Sequence, residues 1–169
     1  MTNKFVAHVL VVPEDDANRQ IANGFALALG IVASRIQVLT PCGGWRRVLE
    51  SLDRDHLADL RRYSERRVVL VIDFDGDESR LDWALSQIPG DVRDRVFIIG
   101  ARTEPEDLKR SLRQAMPDCG SYEKIGSALA GDCRADTRAV WDQPDLACNR
   151  FELDRMAATV RPCLFGTEP

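Results

Sequence analysis

Residues 67–78 have the sequence Arg-Val-Val-Leu-Val-Ile-Asp-Phe-Asp-Gly-Asp-Glu, and this stretch decides the fold. Its apolar residues run without interruption from Val68 to Ile72, and most of them are β-branched. Such a run is typical of a strand that is buried on both faces, as in the middle of a parallel sheet. Asp73 and Asp75 follow it, and ligands of open α/β sheets bind at the carboxyl ends of strands. The stretch therefore predicts a central strand with a polar site at its end.

The spacing of the two aspartates points to a cation. Asp73 and Asp75 are two residues apart, so on an extended chain both side chains point to the same side. Two carboxylates that lie close together stay ionised only when a cation, a basic partner or water offsets their charge. A hard divalent ion such as Mg²⁺, which prefers oxygen ligands, is the simplest such cation. Asp and Gly are also ordinary turn residues, so residues 73–77 are equally consistent with a plain polar turn after a strand.

The composition is that of one globular domain with a hydrophobic core. The chain has 169 residues, of which 44% are hydrophobic and 30% charged, and its net charge is -4. This balance argues against a broad basic coat for nucleic acid but leaves room for a local basic groove. No apolar run approaches the roughly 20 residues that a membrane helix needs, and no signal peptide is evident at the start. We therefore expect a cytoplasmic protein without a membrane partner.

The cysteines indicate neither a disulfide framework nor a zinc site. There are five of them, an odd number, and no two are spaced as Cys-x-x-Cys. We expect reduced thiols, most of them buried as small apolar groups.

Four strands that alternate with helices are expected along the chain. The strands are predicted at 5–12, 36–40, 68–72 and 96–99. The helices are predicted at 17–29, 45–52, 53–67, 79–88, from 105 onward, 122–129 and 151–160, with Pro162 and Gly166 ending the last. The fold class that follows is α/β, with a mostly parallel sheet of four or slightly more strands, helices on both faces and a helical C-terminal tail. We expect an α/β domain over 1–116 and a helical extension over 117–169 that packs on it.

Three features outside the central strand have plain structural interpretations. His8 lies within the first strand, where a packed or hydrogen-bonded core histidine is expected. The Gly43-Gly44 pair precedes a helix, so it is either a turn or a short phosphate cradle. Arg61, Arg62, Arg66 and Arg67 precede the central strand and are expected on a solvated face at its amino end.

Acids close both the first and the third strand, and this pattern resembles the Toprim fold. Glu14 in VVPED and Asp73 and Asp75 in VIDFDGD match the glutamate and the Asp-x-Asp pair of that family. The stretch VFIIGARTEPEDLKRSL, residues 96–112, is similar to the fourth strand and following helix of the stand-alone, overcoming-lysogenization-defect nuclease branch. Asp15 stands where the family usually has Gly, and Asn18 stands where a further acid often follows.

The resemblance implies metal-dependent chemistry on nucleic acid. It makes Glu14 the general acid and base, and Asp73 and Asp75 the ligands of Mg²⁺ or Mn²⁺, with additional acids in Asp15, Asp16 and Asp77. It implies a phosphodiester hydrolase or nuclease, working with or without a partner protein. A Toprim-like module that binds protein and has lost catalysis is the alternative within the same fold.

Residues 9–19, VLVVPEDDANR, also resemble the start of a response-regulator receiver domain. In that case Asp73 is the phosphoryl acceptor, Asp15 and Asp16 hold Mg²⁺, and Thr103 stands for the Ser or Thr that follows the fourth strand. Receivers also use a Lys after a fifth strand, and no such strand or Lys is evident in the sequence.

Overall fold

The fold is a four-stranded parallel sheet with helices on both faces, as the sequence predicts. It is seen in a computed structural model that describes residues 2–166. Residue 1 of the predicted 1–116 segment and residues 167–169 of the predicted 117–169 segment lie outside the described residues. The strand order is β2-β1-β3-β4. The strands are β1 (His8–Pro13), β2 (Ile36–Val38), β3 (Arg66–Val71) and β4 (Val96–Ile99).

Seven α-helices connect and cover the strands in the described part of the chain. They are α1 (Asp16–Ala26), α2 (Trp45–Ser51), α3 (Leu57–Arg62), α4 (Glu78–Ser86), α5 (Pro105–Ala115), α6 (Tyr122–Ala135) and α7 (Arg150–Phe165). A π-helical turn, Leu52–His56, joins α2 to α3. The prediction of a helix through residue 67 is wrong, because the chain enters β3 at Arg66. The prediction that Pro162 ends the last helix is also wrong, since α7 continues through it to Phe165 and Gly166 follows as the cap.

Strand β3 is buried on both faces, which explains its unbroken apolar run. Val68 and Leu70 pack with α2, α3 and α4 on one face of the sheet. Val69 and Val71 point to the other face, where they pack with α1 and α7. A central strand between two helical layers has no solvent-facing side, so every position of the run is apolar.

One arginine expected on a solvated face is buried. The side chain of Arg66 is 10% exposed, and its Nη1 donates to Asp59 at 2.8 Å. Its Nε donates to Nε2 of His8, whose Nδ1 lies 2.7 Å from the carbonyl oxygen of Val6. The solvated-face prediction is therefore wrong for Arg66, because the guanidinium closes the amino end of the sheet. His8 is fully buried and hydrogen-bonded, as expected.

Side chains rather than another strand cover the outer edge of β4. Glu152 Oε2 accepts the N–H of Ile98 at 2.9 Å, and Asn149 Oδ1 accepts the N–H of Gly100 at 2.9 Å. Asn149 Nδ2 also donates to the Gly100 carbonyl at 2.8 Å. The start of α7 thus satisfies backbone groups that an edge strand otherwise leaves unpaired.

Helices α1 and α6 cross at close range because each has a glycine at the contact. A Cβ atom built on Gly126 would lie 1.9 Å from the carbonyl oxygen of Ile21. A Cβ built on Gly24 would lie 2.0 Å from the carbonyl oxygen of Glu123. Both distances are below any real contact, so the two backbones touch where any side chain would separate them.

We expect Gly126→Ala to destabilise the protein by about 1–3 kcal/mol, because the added methyl group forces α6 away from α1. Urea unfolding followed by circular dichroism measures this change. Gly131→Ala on the same helix is the matched control, since no atom of the described residues lies within 4 Å of its Cβ position and Ala favours the helix. Equal effects of the two substitutions would contradict the close crossing.

Candidate functional site

The strand order creates a crevice between the carboxyl ends of β1 and β3. Strand β2, which follows β1 in the chain, lies on one side of β1, and β3 lies on the other side. Ligands of doubly wound sheets bind at such a topological switch point. Glu14 follows β1 immediately, and Asp73 lies two residues beyond the end of β3. The crevice is therefore lined by the acids that the sequence singles out at these two strand ends.

Glu14 and Asp73 are in direct contact in this crevice. Glu14 Oε2 accepts a hydrogen bond from the backbone N–H of Asp73 at 2.8 Å. The backbone N–H of Glu14 donates in turn to the carbonyl of Val71 at 2.9 Å, which extends the β1–β3 ladder. Two acids separated by 58 intervening residues are thus held next to each other by hydrogen bonds that continue the β1–β3 ladder.

Asp73 is a buried carboxyl group with one unsatisfied oxygen. The residue is 4% exposed, and its Oδ2 accepts a hydrogen bond from Asn18 Nδ2 at 3.1 Å. Its Oδ1 is buried with no partner among the described residues. Burial raises the pKa of Asp73 to about 8, and the charges of Asp15, Glu14 and Asp75 add to that rise, whereas the Asn18 hydrogen bond opposes it. Without a cation, Asp73 therefore holds a proton at neutral pH.

Burial also raises the pKa of Glu14, and the nearby charges of Asp15 and Asp75 act in the same direction. The N–H of Asp73 and the charge of Arg80 oppose this rise because both favour the carboxylate. A carboxyl group whose pKa moves toward neutrality is suited to accept and return a proton.

Asp75 does not share the orientation expected for an extended chain. Its φ angle is +48°, and Gly76 follows at +71°, so the backbone turns after Phe74. Its carboxylate Oδ2 accepts a hydrogen bond from Arg80 Nη1 at 2.9 Å. The same nitrogen donates to the carbonyl oxygen of Asp73 at 2.5 Å. Asp75 thus lies beside the crevice with a basic partner, and Arg80 connects it to Asp73.

Two of the three additional acids predicted from the sequence cap helices, and the third forms an exposed ion pair. Asp15 Oδ1 accepts the N–H of Asn18 at 2.8 Å and caps α1. Asp77 Oδ1 accepts the N–H of Ser79 at 3.0 Å and caps α4. Asp16 is exposed and pairs with Arg19 at 2.6 Å. Of the three, Asp15 has the strongest effect on the pKa of Asp73.

Asn18 and Arg80 belong to the site although the sequence did not single them out as functional. Asn18 is 3% exposed and faces Asp73 from the first turn of α1, four positions after Glu14. Arg80 lies three positions beyond Asp77, on the first turn of α4. Their positions in the first turns of the helices after β1 and β3 are the signal that identifies them, because those turns border the switch point.

The Gly43-Gly44 pair forms a turn beside the crevice. Gly43 has a φ angle of +81° and its N–H donates to the carbonyl of Glu14 at 2.8 Å. That N–H is therefore used within the protein, as the turn interpretation expects. Gly44 immediately precedes α2.

Within residues 2–166, no three His, Cys, Asp or Glu side chains form a group arranged to hold a metal ion. No helix in this part of the chain is long and apolar enough to cross a membrane. No protein-family model matches the chain, and comparisons with curated proteins and with solved structures also give no match.

We expect Asp73→Asn to remove a pH-dependent destabilisation. The pKa of Asp73 is about 8 in the folded protein and near its ordinary 3.8 when unfolded. Between these values only the unfolded chain loses the proton, so the free energy of unfolding falls as pH rises. The wild type should lose on the order of a few kcal/mol from pH 5 to pH 8 relative to Asp73→Asn.

Urea unfolding at several pH values measures this difference. Asp82→Asn on the exposed side of α4 is the control, and its curve should parallel that of the wild type. Parallel curves for Asp73→Asn and wild type would rule out a protonated Asp73.

Proposed function

We propose that this protein is a Toprim-like phosphodiester hydrolase that acts on nucleic acid and depends on Mg²⁺ or Mn²⁺. The observation that carries the proposal is the contact between Glu14 and Asp73 at the switch point of the sheet. This bond to the backbone N–H of Asp73 holds the Glu14 carboxyl group beside the residue that carries the buried carboxyl group, in the crevice where such sheets bind ligands.

Two of the crevice acids can supply oxygen ligands to a divalent cation, which is fewer than the three side chains that would form a metal-binding group by themselves. Asp73 has a buried oxygen without a partner among the described residues, and burial, reinforced by repulsion from the charges of Asp15, Glu14 and Asp75, favours the protonated carboxyl group. A doubly charged ion with oxygen preference relieves that repulsion. Asp73 and Asp75 would hold the ion, and Asp75 would exchange its bond with Arg80 for it. When bound, the ion offsets charge on the phosphoryl group and activates water.

The protein's own side chains have distinct roles in this scheme. Glu14 accepts a proton from the attacking water, and its raised pKa suits it to return that proton to the leaving oxygen. The N–H of Asp73 holds the Glu14 carboxylate in place at 2.8 Å. Arg80 borders the crevice with a guanidinium group that can contact a phosphate oxygen once Asp75 binds the ion.

A protein partner and a reducing compartment complete the proposal. The net charge of -4 provides little general attraction for nucleic acid, so a partner that delivers the substrate is consistent with a hydrolase of this size. All five cysteines are free thiols, the state that the cytoplasm maintains.

We expect Mn²⁺ to bind with an affinity that rises with pH up to about pH 8, because Asp73 must release its proton to coordinate the ion. Each pH unit below 8 should weaken binding about tenfold. Titration of free Mn²⁺ by electron paramagnetic resonance between pH 6 and pH 8 measures this. Asp73→Asn should abolish both the binding and its pH dependence, whereas Asp82→Asn should leave them unchanged.

Cleavage is tested with single-stranded and duplex DNA and RNA in the presence of Mg²⁺ or Mn²⁺. The wild type should cut at least one of these substrates, and EDTA should stop the reaction. Glu14→Gln should reduce the rate about 100-fold or more, since a positioned proton-transfer group contributes about that much. Metal binding without cleavage of any substrate, alone or with a co-purified partner, argues against a hydrolase.

A receiver-like phosphoryl acceptor is the second candidate, and the strand order favours it. The order β2-β1-β3-β4 is that of the first four strands of flavodoxin-like sheets, which include receivers. Asp73 then accepts the phosphoryl group on its unpartnered Oδ1. Thr103, which follows β4, has a buried hydroxyl with no partner among the described residues and would contact that group.

Incubation with acetyl phosphate and Mg²⁺ separates the two candidates. A receiver gains the mass of one phosphoryl group, about 80 Da in intact mass spectrometry, and Asp73→Asn does not gain it. An unchanged mass under conditions that modify a known receiver removes this alternative.

A further inference from the structure

A partly exposed cluster of tryptophan and arginine side chains lies beside the acidic crevice. We call it the Trp–Arg cluster, and it consists of Trp45, Arg46, Arg80 and Trp83. The rings of Trp45 and Trp83 meet edge to face, with centroids 5.3 Å apart and planes at 88°. Cζ of Arg46 lies 5.0 Å from the Trp45 centroid and 5.5 Å from that of Trp83. Cζ of Arg80 lies 4.9 Å from the Trp45 centroid.

The Trp–Arg cluster is continuous with the crevice. Arg80, which contacts the Trp45 ring, also donates to Asp75 and to the carbonyl of Asp73. Trp45 begins α2 directly after the Gly43-Gly44 turn, and Gly43 donates its N–H to the carbonyl of Glu14. A ligand placed on these rings therefore lies next to the proposed reaction centre.

Packing of the core does not explain Trp83. Trp45 is half-buried and packs against the core beneath α2 and α4. Trp83 is 43% exposed and belongs to none of the hydrophobic core clusters formed by residues 2–166. The exposed ring therefore leaves apolar surface available to a binding partner.

Two arginines beside the rings have no carboxylate partner in the described part of the chain. Arg46 and Arg47 are exposed, and neither forms an ion pair with a carboxylate within residues 2–166. A guanidinium group without a carboxylate partner keeps N–H donors available for phosphate, even when it also lies over an aromatic ring. Aromatic faces flanked by such groups are the elements with which proteins bind single-stranded nucleic acid.

We propose that the Trp–Arg cluster is a stacking site for an unpaired nucleobase of single-stranded DNA or RNA. This inference rests on the proposed function, since it names the form of nucleic acid that reaches the acids. A base stacks on Trp83, and Arg46 contacts the adjacent backbone phosphate. A duplex offers no free base face to the ring, so the site selects single strands.

Binding is measured by fluorescence anisotropy with labelled 12-nucleotide DNA and RNA strands and with duplexes of the same sequences. EDTA is present, so no cleavage occurs. The wild type should bind a single strand at least tenfold more tightly than the duplex. Trp83→Ala should weaken single-strand binding about 5- to 100-fold, the range seen when a stacking ring is removed. Trp83→Phe should retain most of the affinity.

Two further variants define the site. Arg46→Ala should weaken binding and reduce the slope of log affinity against log salt concentration by roughly 0.7, because one phosphate contact is lost. Phe5→Ala is the matched control, since Phe5 is also an exposed aromatic residue (74%). It precedes β1 and therefore lies at the amino ends of the strands, whereas the crevice lies at their carboxyl ends. This control should bind as the wild type does.

The results separate this inference from the proposed hydrolase. Single-strand binding that depends on Trp83 but is never followed by cleavage supports the stacking site and rejects the hydrolase. Cleavage without such binding rejects the stacking site alone. Equal binding by wild type and Trp83→Ala, equal binding of duplex and single strand, or no binding overturns the inference. So does a co-purifying protein that is lost in Trp83→Ala while oligonucleotides do not bind.

Discussion

The parallel pairing of β1 with β3 is the constraint on which the rest of this structure depends. The two strands are in register from His8 opposite Arg66 to Pro13 opposite Val71, so they end at the same level. The ladder then continues through Glu14 and closes with the bond from the Asp73 N–H to the Glu14 carboxylate. A shift of one residue in this register would turn the valines of β3 to the wrong layer and would separate the acids. Core packing and site geometry are therefore fixed by the same hydrogen bonds.

The site is formed at a cost to stability. Asp73 is a carboxyl group in a place that water does not reach, and three other acids surround it. A buried carboxyl group is tolerated when it is hydrogen-bonded and neutral. Asn18 donates a hydrogen bond to Asp73, and the raised pKa keeps Asp73 protonated and therefore neutral at pH 7. Arg80 neutralises Asp75 and thereby limits the repulsion. A strongly raised pKa in a crevice of the sheet makes Asp73 a candidate functional residue.

The sheet was predictable from sequence because its signals are local. The apolar run over 68–72 and the alternation of strands with helices sufficed to predict the fold class. The acids that follow β1 and β3 could be identified directly in the sequence. The orientation of Asp75 was not predictable, because a turn with positive φ at a non-glycine residue depends on bonds from Arg80 and on the following Gly76. The burial of Arg66 was missed for a similar reason, since its partners His8 and Asp59 lie on other elements. Tertiary contacts determine the orientation and burial of such side chains, and the periodicity of the sequence does not reveal these contacts.

The C-terminal helices bear on which chemistry the crevice supports. A receiver places a conserved lysine after a fifth strand, which would pair with the outer edge of β4. Here Asn149 and Glu152 occupy that edge and bind the backbone of Gly100 and Ile98. Glu152 is itself held by Arg93 and Arg155, so this closure is an ionic network of one buried carboxylate and two partly exposed guanidinium groups. A fifth strand cannot pair there without breaking these bonds, and the lysine of a receiver has no place in the described sheet. The closure therefore favours the hydrolase over the phosphoryl acceptor, because metal-assisted hydrolysis needs only the acids between β1 and β3.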